Sequence, residues 1–123
     1  MNMPTEATFE AGAKPTIFVV NVIHAHPGMQ DAAYDVIKDV VDYVSERRKG
    51  FVWSTLAKSV DGETVVNVEA IASEESVEGE FFADDVFSEK FAKLKEVSRN
   101  EFHIYRVEDL IFNTVPGYGI AKA

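Results

Sequence analysis

From Thr16 to His26 the chain reads Thr-Ile-Phe-Val-Val-Asn-Val-Ile-His-Ala-His, rich in β-branched residues and apolar at both parities. Such a run predicts a strand whose two faces are both covered. Pro27-Gly28 stops it, and the period then changes. Met29, Ala33, Val36, Ile37, Val40 and Val44 recur at helical spacing, while acids and Lys38 fall largely on the other side. Residues 29–48 are therefore read as a helix. Arg47, Arg48 and Lys49 suit the negative end of its dipole, and Gly50 fits the C′ stop.

Two strands follow at 51–59 and 63–71, joined at Asp61-Gly62, a pair that favours a turn with φ > 0 at both central positions. With that two-residue loop Val60 opposes Glu63, Leu56 opposes Asn67, Ser54 opposes Glu69 and Val52 opposes Ile71. Ser54, Leu56, Asn67, Glu69 and Ile71 then share one face, and Trp53, opposite Ala70, looks to the other. A helical stretch is expected from Ser73, with a break near Gly79 and a restart at Asp84-Asp85, whose acids suit a helix N-terminus. Phe87, Phe91, Leu94 and Val97 continue it as an apolar stripe, and residues 101–111 make the last strand. Residues 1–15 read as a flexible N-terminal arm and 112–123 as a C-terminal tail, leaving 16–111 as the domain.

The order β-α-β-β-α-β predicts an α+β, ferredoxin-like fold, an antiparallel sheet with its helices on one face. The first and third strands are nevertheless apolar on both faces. Val20 and Val22 alternate with Val19 and Ile23, and Val66, Val68 and Ala70 alternate with Val65 and Ile71. The face without helices needs its own cover, and a second copy is the simplest: a homodimer through sheet faces is expected.

Charge and composition narrow the function. Among 123 residues, 12 basic side chains against 21 acidic ones give a net charge of −9, which argues against a nucleic-acid or anionic-membrane partner. With no cysteine there is no thiol nucleophile, disulfide, iron–sulfur cluster or Cys-ligated zinc. No apolar run approaches the ~18 residues of a membrane span, and Met1-Asn2-Met3-Pro4-Thr5-Glu6 lacks a basic-then-apolar leader pattern, so the cytoplasm is the expected compartment. Phosphate-loop, dinucleotide, zinc-protease and nucleophile-elbow motifs are all missing from the sequence. His24 and His26 form an His-x-His, with His103 as a third candidate. They are read as histidines at a dimer rim, and no metal is expected. Glu74, Glu75, Glu78, Glu80, Asp84 and Asp85 are read as a solvated face.

In order and spacing these pieces resemble the antibiotic biosynthesis monooxygenase superfamily, a group of dimeric α+β barrels. The resemblance covers residues 16 to about 110. It rests on the strand ending in Pro27-Gly28, Gly50-Phe51 opening the hairpin, Asp61-Gly62, and Val66-Asn67-Val68-Glu69 running into Ser73-Glu74-Glu75. The family includes cofactor-free oxygenases of polyketide aromatics and haem-degrading enzymes, and related barrels include isomerases and cyclases. Asn67 matches an asparagine in the third strand of the cofactor-free oxygenases, and Asn21 matches the first-strand asparagine of the haem-degrading members. Ile71 stands where the family usually has tryptophan, and Phe81 and Phe82 stand where haem-degrading members supply a histidine ligand. These departures argue against haem degradation, so no cofactor is expected.

The resemblance also implies that Asn67 marks the helix-side face and the pocket. Asn21 and Asn67 would be ringed there by Ile23, Ile71, Phe81, Phe82 and Phe87, a setting suited to a small apolar or aromatic ligand. An amide could hydrogen-bond a phenolate or enolate oxygen, and the resulting carbanion could react with O₂. Glu69, on the same face, could act as a general base with a raised pKa, or pair with Lys58 on the adjacent strand. Asn67, Asn21 and Glu69 are thus the candidate catalytic residues. Arg106 could bind an anionic substrate group, or form an edge-strand ion pair. Isomerisation or cyclisation without O₂, which the Ile71 departure favours, and non-catalytic ligand binding remain open beside oxygenation.

Overall fold

A computed structural model describes residues 17–72 and 84–115. The elements are β1 (Ile17–Ala25), α1 (Gln30–Arg47), β2 (Phe51–Lys58), β3 (Thr64–Ile71), α2 (Asp85–Ala92), α3 (Leu94–Val97) and β4 (Ser98–Arg106). The strands lie in the order β2-β3-β1-β4, and each neighbouring pair is antiparallel. Ile23 and Val65 of the sheet pack with Ala33, Ile37, Val40, Val41 and Val44 of α1 and Leu94 of α3 in one buried core. The helices therefore cover a single sheet face, and the fold is the α+β, ferredoxin-like arrangement. The arm over 1–15, the helical stretch expected from Ser73, and Phe81 and Phe82 lie outside the described residues, as does the tail from 116. No helix among the described residues is long and apolar enough to cross a membrane.

Side-chain parity follows the strand register. Ile17, Val19, Asn21 and Ile23 face the helices together with Val65, Asn67, Glu69 and Ile71, their cross-strand partners on β3 in the reverse order. On β2, Leu56 pairs with Asn67, Ser54 with Glu69 and Trp53 with Ala70, as the hairpin predicts. Val52 does not pair with Ile71, because an irregularity between Phe51 and Trp53 gives that partner to Phe51. The loop also differs from a two-residue turn. Gly62 takes φ 80° and Asp61 keeps a negative φ, while Gly62 N–H bonds Ser59 O at 3.1 Å and Ser59 N–H bonds Thr64 O at 2.9 Å. The Asp61 carboxylate accepts from Glu63 N–H at 2.9 Å, a local bond that competes with the tighter turn.

Other boundaries shift for identifiable reasons. Arg48, in an extended conformation, ends α1, and Gly50 is not among the positive-φ glycines; its carbonyl accepts from Ala72 N–H at 2.8 Å instead. The last strand runs over Ser98–Arg106, not 101–111, because β1 sets its span: Ala25 pairs with Ser98 and Ile17 with Arg106. Residues 107–115 are irregular, and Leu110, Ile111, Phe112 and Val115 are exposed. Asp84 caps α2 as expected, accepting from Val86 and Phe87 N–H groups at 2.9 and 3.1 Å. The same carboxylate accepts from Tyr43 Oη at 2.7 Å, which ties α2 to α1. At the other end of α1, Gln30 Nε2 donates to Ser59 O and Thr64 O, both at 2.9 Å, and fixes the helix over the hairpin loop.

The sheet face without helices carries Phe18, Val20, Val22, Trp53, Val66 and Val68 by register. Phe18 and Trp53 meet edge to face with centroids 5.4 Å apart. His24 lies on this face with its Nε2 2.9 Å from Glu101, whereas His26 falls beyond the end of β1.

Candidate functional site

Where α1 crosses β1 and β3, its side chains are Val40, Val41 and Val44, and beneath them the strands carry Asn21 and Asn67. Short side chains on both surfaces keep helix and sheet from closing. A cleft of ≈ 90 Å³ lies between them. Ile37 and Arg48 of α1, Val19, Glu69 and Phe102 of the sheet, and Phe87 and Phe91 of α2 complete its wall. The two phenylalanines stack, with centroids 5.6 Å apart and planes 19° from parallel. Most of the lining is apolar, and the polar groups are few and buried.

Those polar groups are organised by hydrogen bonds. Asn21 and Asn67 are direct cross-strand partners. Ser54 Oγ donates to Asn67 Oδ1, and Asn100 Nδ2 donates to Asn21 Oδ1 at 3.2 Å. Both carbonyl oxygens are engaged, and neither Nδ2 has an acceptor among the described residues. The asparagines thus offer N–H donors to an oxygen-bearing ligand.

Glu69 pairs with Arg48, Nη1 to Oε2 at 2.9 Å, with both side chains buried. Lys58, the partner considered for Glu69, bonds Asp31 at 2.8 Å instead. Burial pushes the Glu69 carboxyl above the usual carboxylate range, and the charge and hydrogen bond of Arg48 oppose this without cancelling it. Asn21, Asn67, Glu69 and Phe87 therefore come together as expected. Ile23 and Ile71 do not join them at the cleft. Each is fully buried, Ile23 in the main core and Ile71 against Ile17 and Val19. Arg106 faces Ile17 at the far end of β4 and is not part of the cleft wall. Among the described residues no cluster of His, Asp and Glu side chains forms a metal set.

No protein-family model matches the chain, and no curated protein matches it significantly in sequence. Solved structures do. SnoaB, a cofactor-independent oxygenase of Streptomyces nogalater, superposes with a TM-score of 0.67 at 20% identity, over 83% of this chain and 98% of that one. A monooxygenase of Streptomyces coelicolor, solved in complex with nanaomycin D, gives 0.69 at 20% identity, over 80% of this chain and 93% of its own. A candidate antibiotic biosynthesis monooxygenase of Bordetella bronchiseptica gives 0.64 at 13% identity, over 80% and 100%. The chain has the antibiotic biosynthesis monooxygenase fold.

In this monooxygenase fold the strand asparagines and Glu69 were legible in advance, but Arg48, Phe91 and Phe102 were not. Arg48 reads as a helix-end cation, and its pairing with Glu69 spans 21 residues of sequence. Phe91 was visible as part of a stripe, with nothing to separate a core role from a cleft role. Phe102 lies on β4 directly opposite Asn21, a position that exists only once the register of β1 and β4 is known.

Proposed function

We propose that the chain is a cofactor-independent monooxygenase-like enzyme acting on a small phenolic or polyketide-like aromatic. The observation that carries this reading is the pair of asparagine amides, whose N–H donors converge on an otherwise apolar cleft with a buried carboxylate beside them. The cleft binds the flat ring system against Phe87, Phe91 and Phe102. Asn21 and Asn67 hold an oxygen of the substrate, and Glu69 takes a proton. Amide donors aimed at an oxygen that gains charge favour the deprotonated form. The electron-rich carbon of that enolate or phenolate reacts with O₂, and collapse of the peroxide to a carbonyl releases water. The working form is a homodimer through the open sheet face, a reading supported by Phe18, Val20, Val22, Trp53, Val66 and Val68 on that face.

Oxygen uptake with an anthrone-type substrate tests the reading. Uptake that falls about tenfold or more in Asn67→Ala, close to 1.4 kcal/mol of transition-state stabilisation, supports it. A second reading keeps the cleft but performs isomerisation or cyclisation without O₂. It is favoured by Ile71, which is fully buried outside the cleft and puts no indole there. Substrate conversion at unchanged O₂ would select that reading. Ligand binding with no conversion at all would leave a non-catalytic binding dimer.

A further inference from the structure

The placement of the Arg48–Glu69 pair calls for a reason beyond stability, since a buried ion pair contributes little net stabilisation over apolar packing. Arg48 is held from both sides: its N–H bonds Val44 O at 2.9 Å, and its carbonyl accepts from Phe51 N–H at 3.2 Å. From the end of α1 the side chain reaches the middle of β3, where Nη1 meets Glu69 Oε2 at 2.9 Å. Glu69 Oε1 has no hydrogen-bond partner among the described residues. Val19 on β1 and Ser54 on β2 pair with Glu69, and Phe102 of β4 with Phe87 and Phe91 of α2 line the same cleft. Among the described residues of the cleft wall Arg48 is the other charged one, and it sits where it compensates a negative charge on Glu69.

We infer that Arg48 is the positioning residue of this cleft: it holds Glu69 as a carboxylate with one oxygen left for the ligand, and so selects ligands that carry an acidic hydroxyl, a phenol or an enol. The inference rests on the cleft being the ligand site proposed above. In the proton transfer the ligand O–H bond breaks, a bond from the proton to Glu69 Oε1 forms, and the electron pair stays on the ligand oxygen under the asparagine amides. Negative charge moves from Glu69 to the ligand, but the net charge of the cleft stays the same. The Arg48 guanidinium balances it before and after, which an apolar residue at this position would not do.

The test uses a hydroxyanthraquinone, whose visible band shifts on ionisation, and its methyl ether, titrated into the full chain across pH. The wild-type protein should bind the phenol about tenfold more tightly than the ether near neutral pH, and ionise it below its free pKa. Glu69→Gln should abolish both effects. Arg48→Met should move the pH at which the preference appears upward by about one unit or more, with Arg48→Lys recovering part of the shift. Should Arg48→Met fail to fold, the double variant R48M/E69Q, which leaves no lone buried charge, should fold and show no preference. A folded Arg48→Met with the wild-type pH profile would overturn the inference. Equal binding of phenol and ether by the wild type would overturn it while leaving the ligand site intact. Binding of neither would remove the ligand site as well.

Discussion

Asn21 and Asn67 stand directly opposite each other on β1 and β3, and each has its side-chain oxygen engaged laterally, by Asn100 and Ser54 respectively. Direct cross-strand partners lie about 5 Å apart at Cα, close enough for two amide nitrogens to serve one ligand oxygen or two adjacent ones.

In the proposed function the two amides act on the same charge, so their effects should not add. Asn21→Ala and Asn67→Ala are each expected to lower kcat/KM about tenfold, and the double variant by less than the product of the two. Steady-state oxygen uptake on the four proteins measures the coupling. A strictly multiplicative loss would mean that the amides serve separate groups.

Glu69 should make stability depend on pH with a definite sign. Its carboxyl is raised above the ordinary value of 4.5 by burial, so the folded state binds its proton more readily than the unfolded state. The contribution is fully present below 4.5 and is lost as pH rises through the elevated folded value. Urea unfolding of the wild type and of R48M/E69Q at pH 4 to 8 should show the wild type losing stability relative to the double variant as pH increases. A constant difference across that range would contradict the assignment.

Helix α1 and the hairpin loop should be sensitive at single positions. Ile37 is 1% exposed, and Ile37→Ala is expected to cost about 2–5 kcal/mol through lost burial and a residual cavity. Gly62 holds φ 80° with open space where a Cβ would sit, so Gly62→Ala should cost only the backbone strain, about 1 kcal/mol. Chemical denaturation at one pH ranks the two. A larger loss at Gly62 would mean that the loop packs more tightly than its surroundings show.

On the open sheet face Val68 lies opposite Val20, at the centre of the apolar strip. If the chain pairs through this face as proposed, Val68→Lys should be monomeric where the wild type is dimeric, read by native mass spectrometry and by sedimentation at several concentrations. A variant that stays dimeric would place the interface elsewhere.

The local features of the fold were legible because local physics produces them. The β-branched run of β1, the helical spacing of α1 and the capping acid at Asp84 each express a backbone preference within a few residues. Hairpin register was legible too, since Leu56 with Asn67 and Ser54 with Glu69 follow from the position of the turn. The end of β4 was not. Glu108, Asp109, Leu110 and Ile111 are compatible with extended chain, and only the length of β1 stops the pairing at Arg106.

The same division holds at the site. By itself the sequence determined that Asn67 and Glu69 share a face, because side chains alternate along a strand. It also determined that a helix with valines at Val40 and Val44 covers a sheet. Only the tertiary structure decided that Arg48 reaches Glu69 while Lys58 turns to Asp31, that Ile23 and Ile71 close into core, and that Phe91 and Phe102 wall the cleft. These outcomes depend on distances between elements remote in sequence. Spacing along one strand or helix carries no record of which long side chain from another element arrives over it.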